Sequence, residues 1–418
     1  MALQQTKSKE KTRASELALA YIGAVVPDRA PYNGKAFSRA GNMAQLGLLH
    51  GLAAAGVAPA IILTQRPLQA FPGSRTIYAT KKLTQLEPGL SAELIPFFNM
   101  PVIRPIVVGA YVFLALIRWA WRMNEASNKI ILTFNLTEPA GVFTLLAARL
   151  IRARAVAWIN DINVPGQTVS NNWMRRLDFW LQNKLLPRFD GLVVVNEEIV
   201  NDFAPKQRFV CVDGGVRSEM LLDSEVEPTR KKERTFFTIV AAGSLDDQNG
   251  IIEILKAFSL LKEPFYRLRI AGSGPLKARV QEAELKDSRI EYCGYLSHDQ
   301  VRELYRSADV LINMRLTERV KTPYFFPSKL LEYMASGVPV ITTCTGHVEK
   351  RYGDLVFMLR NETAEGLAEM VRFVAGLDDE QRCRRGAIAR EYMRLHGTWE
   401  ARAKIILGFV HHLGKVEL

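Results

Sequence analysis

Short runs of Val, Ile, Leu and Ala recur along the chain, each closed by a polar or glycine turn and followed by helical spacing. Residues 17–26 (LALAYIGAVV) are the first run; a glycine-containing loop and a helix over 42–55 follow, then a run at 58–64. Runs at 130–134 and 155–159 flank a helix over 139–151, and those at 191–196 and 208–212 end this set. A second set lies at 236–242, 267–271, 289–295, 309–314 and 338–342, with helical segments between. Uninterrupted apolar runs belong to strands buried on both faces, and strand–helix alternation predicts a parallel, doubly wound sheet. The stretch 217–235 (RSEMLLDSEVEPTRKKERT) is polar, aperiodic and reads as a linker. At 418 residues the chain exceeds one ordinary core. The expectation is therefore one domain over 1–216 and a second over 217–397.

Two apolar windows need separate treatment. Residues 17–26 follow four basic residues, as a leader would, but Pro27-Asp28-Arg29 stands where small residues mark cleavage, so the run is read as a strand. In 102–121 (VIRPIVVGAYVFLALIRWAW), Arg104 and Arg118 bracket only thirteen uncharged residues, short of the ~20 that cross a bilayer. This window is read as a buried helix of the first domain. The alternative is an in-plane anchor, because Arg118, Trp119, Trp121 and Arg122 are residue types that favour a membrane interface.

Residues 324–343 (YFFPSKLLEYMASGVPVITT) hold the densest set of signals. Pro327 and Ser328 suit a helix start, proline by lacking an N–H and serine as a side-chain cap. Leu330, Leu331 and Met334 fall on one face, with Lys329, Glu332 and Tyr333 on the other. Gly337 suits a helix stop, and 338–342 a buried strand. Such a helix start attracts phosphate, Lys329 adds a full charge, and Glu332 is one turn on, within reach of a ribose diol. The same pattern also suits a helix capped for stability with two solvated charges. Two glycine turns follow strands in the same half. One is 243–250 (GSLDDQNG), whose Gly243 and Gly250 suit a phosphate cradle, and the other begins at Gly272. In the first half, Asn160 and Asp161 end the strand 155–159, where ligands of parallel sheets gather, though an Asx turn would explain them equally.

The stretch 324–343 resembles the donor-site segment of retaining nucleotide-sugar glycosyltransferases of family 4. Those enzymes have the GT-B fold, two Rossmann-like doubly wound domains facing each other across a cleft. The resemblance implies that Glu332 holds the nucleotide ribose, beside Pro327, Ser328 and Lys329. An acidic residue usually stands eight positions earlier, where this chain has Tyr324. The family places an arginine after the first glycine of the cradle and a lysine before the last, both on the diphosphate. Ser244 and Asn249 occupy those places, so Lys329 is expected to supply the charge, with Arg315 and Lys321 as further candidates. Tyr292 and Gly294 fall in the segment that cups the base. Asp161 matches an acceptor-side position, Lys35 and Arg39 lie in a loop that approaches the cleft, and the helix at about 398–418 completes the first domain. Asp161, Lys329 and Glu332 are thus the expected catalytic set.

Composition narrows the class. Hydrophobic residues at 48% and charged residues at 23% describe a globular protein. Four distant cysteines, Cys211, Cys293, Cys344 and Cys383, suit free thiols in a reducing compartment. Residues 1–216 hold 24 Lys and Arg against 14 Asp and Glu, while the whole chain nets +12. No nucleic-acid module accompanies that surplus, which favours an anionic lipid surface as partner. Asp246 and Asp247 are adjacent and poorly aimed as metal ligands, so no metal or other cofactor is expected. The resemblance thus implies a retaining, metal-independent transfer from a UDP- or GDP-sugar to a glycan or lipid-linked acceptor. The expected setting is cell-envelope or exopolysaccharide synthesis at the cytoplasmic face of the membrane. A sugar-nucleotide epimerase or hydrolase, or a non-catalytic binder on the same fold, are the alternatives.

Overall fold

A computed structural model of the chain describes residues 17–29, 31–32, 37–123, 128–135, 140–167, 169, 171–222, 235–320 and 323–414. The chain divides into two units, Met1–Asp213 with Trp399–Leu418, and Gly214–Thr398. Most of the stretch read as a linker lies outside the described residues; its beginning forms a short helix, Glu219–Leu222.

The first unit begins with β1 (Leu17–Gly23), α1 (Arg39–Ala54), β2 (Ile61–Thr64), β3 (Tyr78–Ala79), β4 (Lys82–Glu87), β5 (Leu90–Leu94) and β6 (Phe97–Phe98). There follow α2 (Ile103–Arg122), β7 (Asn128–Phe134), α3 (Ala140–Leu150), β8 (Arg154–Ile159), α4 (Trp173–Leu185), β9 (Gly191–Val194), α5 (Glu198–Phe203) and β10 (Phe209–Cys211). Eight strands form one sheet in the order β10-β9-β8-β7-β1-β2-β5-β4. Its pairings are parallel except the β4–β5 hairpin at one edge. Consecutive connections leave β1 in opposite directions, to β2 on one side and to β7 on the other, which makes the β1–β7 gap a topological switch point.

The second unit continues with α6 (Glu219–Leu222), β11 (Phe237–Ser244), α7 (Ile251–Leu260), β12 (Tyr266–Ser273), α8 (Lys277–Lys286), β13 (Ile290–Gly294), α9 (His298–Arg306) and β14 (Val310–Asn313). Then come α10 (Lys329–Ser336), β15 (Val340–Thr343), α11 (Val348–Tyr352), β16 (Phe357–Leu359), α12 (Ala364–Gly376) and α13 (Asp379–Tyr392). Its six parallel strands run β13-β12-β11-β14-β15-β16, the Rossmann order, with the switch point between β11 and β14. Ile239, Leu268, Ile270, Val310 and Ile341 are fully or nearly fully buried at its centre.

The terminal helix α14 (Trp399–Gly414) belongs to the first unit. Its Trp399 lies against α1 so closely that a Cβ on Gly47 would fall 2.1 Å from the indole nitrogen. Trp399 also meets Trp158 edge-on at 6.0 Å between centroids. Three residues on, Arg402 Nη2 lies 3.0 Å from Asp213 Oδ1, with both side chains buried. A buried ion pair thus fastens the last helix where the chain leaves the unit.

The helix read from 102–121 exists as α2, but it is not simply a core helix. Val108, Val112, Leu116 and Trp119 are buried, whereas Ile106, Leu114 and Trp121 are 54%, 51% and 77% exposed. Arg104 does not face solvent. Its guanidinium donates to the Leu68 carbonyl at 2.7 Å and lies over the Phe97 ring.

Candidate functional site

β11 and β14 pair only through Ile239–Val310 and Val240–Leu311. Beyond that point the strands diverge, and the backbone of Ala242 loses its neighbour on the β14 side. Tyr333 of α10 fills the gap. Its hydroxyl accepts from the Ala242 N–H at 2.8 Å and donates to the Ala242 carbonyl at 3.0 Å. Its ring is fully buried, edge-on to Tyr305 at 5.0 Å. The sequence pattern put Tyr333 on the polar face with Lys329 and Glu332, and the structure corrects this. A tyrosine can be buried when its hydroxyl finds partners, and here two backbone groups supply them.

Opening the sheet there places the end of β11 beside the start of α10. Gly243 has φ +154°, and a Cβ on it would meet Lys329 Cε at 3.1 Å and Nζ at 3.2 Å. The Lys329 side chain therefore lies over the Gly243 turn. Lys329 makes no ion pair among the described residues. Burial pushes its ammonium below the ordinary lysine pKa; Glu332 opposes that shift and Arg315 reinforces it. Arg315 follows β14. Burial lowers its pKa, with Asp246 acting in the opposite direction, and its guanidinium lies 5.5 Å from the Phe325 ring centre. Its longest-range contact is a 3.5 Å approach of Nη1 to Gln248 Oε1. Two half-buried cations thus share one end of the sheet and repel each other.

Glu332 sits one turn into α10, as read from the sequence. It neighbours the Tyr305 phenol, which burial first, then Tyr333 and Glu332, push well above its usual range. Pro327 is buried and Ser328 exposed. Ser328 is not the expected side-chain cap. It has helical angles (φ −54°, ψ −27°) and makes no capping bond; the turn starts instead at Pro327, whose carbonyl accepts from Leu330 N at 2.9 Å.

The glycine turns are stitched to each other. Gly243 pairs in register with Gly272, where φ is +136° and a Cβ would lie 1.8 Å from the Gly243 carbonyl oxygen. Only glycine fits both that angle and that approach. The Tyr292 hydroxyl donates to the Gly272 carbonyl at 2.8 Å, and Gly294 ends the neighbouring strand with φ +71°. Gly250 (φ +60°) begins α7 against Met314. Within the first turn, Asp246 organises the loop. It accepts from Ser244 Oγ at 2.6 Å, from Asn249 N at 2.9 Å and from Asn249 Nδ2 at 2.8 Å. Ser244 and Asn249 therefore shape the cradle through Asp246. Among the described residues, the half-buried cations beside it are Lys329 and Arg315.

Asp161 belongs to the first unit. It is exposed at the end of β8, and its Oδ2 is approached by Asn135 Nδ2 at 3.4 Å and Asn160 Nδ2 at 3.3 Å. Asn135, which the sequence reading passed over, directly follows β7 with φ +41°, and its Oδ1 accepts from both Asn160 N (2.7 Å) and Asp161 N (3.1 Å). Gly23, Thr133, Asn135 and Thr144 line a small cavity at this unit's switch point. Arg39 pairs with Asp28 at 3.1 Å. Lys35 and Lys321 lie outside the described residues.

Residues 237–375 match the family described as "Glycosyl transferases group 1". The chain is 25% identical over 181 residues to the phosphatidylinositol N-acetylglucosaminyltransferase gpi3 subunit of Schizosaccharomyces pombe, an alignment covering 38% of each. It is 24% identical over 221 residues to the putative colanic acid biosynthesis glycosyltransferase WcaL of Escherichia coli, covering 46% of this chain and 53% of that one. These matches thus span about two-fifths to half of those relatives' length. Among solved structures, Anabaena HepE in complex with UDP superposes with a TM-score of 0.65 at 14% identity, covering 94% of this chain and 100% of that one. The chain has the GT-B fold. The family match covers about a third of the chain, lies within its second unit and includes 324–343, the stretch that carries the resemblance.

Proposed function

We propose that this GT-B protein transfers a sugar from a UDP- or GDP-sugar to a glycan or lipid-linked acceptor, with retention at the anomeric carbon. The observation that carries the reading is the pair of half-buried cations, Lys329 and Arg315, at the open end of the β11–β14 gap. Holding two repelling cations there costs stability in the free protein, and a diphosphate between them would relieve that cost. A leaving diphosphate gains negative charge as the glycosidic bond breaks, so fixed cations stabilise the transition state more than the ground state. Lys329 and Arg315 supply that charge in this reading without a metal ion. Glu332 holds the ribose, the Gly243 and Gly272 turns admit the phosphates, and Tyr292 with Gly294 borders the base. Asp161 is the acceptor-side base. UDP in HepE and the colanic acid biosynthesis named for WcaL support a similar donor and setting. The four free thiols suit a cytoplasmic location.

The test is incubation with labelled UDP- and GDP-sugars, lipid extract and EDTA, comparing the parent with Glu332→Gln. Transfer of label to lipid by the parent, resistant to chelation, is expected, with nucleotide affinity at least tenfold weaker in the variant through loss of a charge-assisted bond. Free sugar and UDP without lipid product would instead indicate a hydrolase or epimerase. Equal nucleotide affinity in the variant would remove Glu332 from the site.

A further inference from the structure

We infer that the first unit docks on an anionic phospholipid surface through the outer face of its α2–α3–α4 helices, with α2 lying in the membrane plane. The three helices pack side by side. A Cβ on Gly109 of α2 would fall 2.2 Å from Phe143 of α3, and α3 in turn contacts α4. On α2, Ile106, Ala110, Leu114, Ile117 and Trp121 recur at helical spacing on the face turned away from the buried Val108, Val112 and Leu116. Exposed Leu150 extends this apolar strip on α3, and Trp173, Leu177 and Trp180, at 67%, 47% and 55% exposure, continue it on α4. Apolar surface of that extent on one helix layer marks an interaction site.

The charge pattern selects the occupant. α2 and α3 contain no acidic residue, and all three helices together hold seven Lys and Arg against Asp178 alone. Arg118, Arg122, Arg149, Arg175, Arg176 and Lys184 are exposed around the apolar strip. A second copy of the chain would set these cations against one another, whereas an anionic leaflet complements them. Among the described residues α2 alone is long and apolar enough to cross a bilayer. It does not do so here, because its other face is buried within the unit. Apolar outward face, interfacial tryptophans and a basic border are instead the signature of a helix embedded at headgroup depth.

Flotation of the full chain with vesicles tests this without a donor, so its failure is distinct from failure of the transferase reading. At about 0.1 M salt the parent is expected to float with phosphatidylglycerol-rich vesicles and not with pure phosphatidylcholine. Replacing Arg118, Arg122 and Arg149 by Gln should weaken partitioning about a hundredfold. Leu114→Gln with Trp121→Gln should weaken it at least tenfold while leaving the melting temperature unchanged. The inference is overturned if the parent stays with the pellet, or if both variants float like the parent. It is also overturned if the parent is a dimer that the Leu114/Trp121 variant converts to monomer.

Discussion

At the residue scale, the Tyr333 phenol bonds both the N–H and the carbonyl of Ala242 at the point where β11 leaves β14. Tyr333→Phe keeps the ring against Tyr305 and strands two backbone groups, each costing about 1–3 kcal/mol when buried and unpaired. A loss of about 2 kcal/mol or more by urea unfolding is expected, with weaker nucleotide binding as the Gly243 turn loosens. An unchanged midpoint would show that water replaces the hydroxyl. The helix that carries Lys329 and Glu332 was legible in the sequence because Pro327 precedes it and Gly337 ends it in the left-handed region. The part played by Tyr333 was not, since hydrophobic spacing treats a tyrosine as amphipathic and cannot see that a sheet opens beside it. Asn135 was invisible for a similar reason: a strand-end asparagine looks like a turn until its partners on β8 are known.

At the element scale, the parallel strands were readable because each is apolar on both faces, and their parallel pairing follows from the alternation with helices. The β4–β5 hairpin was missed because its edge strands alternate, with Thr84 and Leu86 inward and Leu83 at 70% exposure. Helix α4 was missed too, since most of its residues face outward and the apolar ones among them mimic no buried face. The terminal helix offers the sharpest test at this scale. Arg402→Ala removes the cationic partner of the buried Asp213 carboxylate, and breaking such a pair typically costs about 3–5 kcal/mol. The first unit should lose stability by that order in chemical denaturation. A change under about 1 kcal/mol would mean that Asp213 is held by its other neighbours.

At the scale of the whole molecule, the basic surplus and the proposed nucleotide site lie in different units: 24 cationic residues against 14 acidic ones fall in 1–216, while the half-buried cations belong to the second unit. The surplus is a property of a surface and the buried pair a property of a site, so they respond differently to perturbation. The Lys329 pKa is depressed below its ordinary value of 10.5, so the unfolded chain binds the extra proton between the two values. This residue's contribution to stability therefore rises as pH climbs through that window, and is most unfavourable below it. The most direct measurement is calorimetric titration of UDP and GDP into the parent and Lys329→Met, with melting curves recorded in parallel. The variant is expected to bind nucleotide about tenfold to a hundredfold more weakly, while melting no lower than the parent without ligand. Equal nucleotide affinity in the two proteins would contradict the claim that an anion docks on Lys329 where α10 begins.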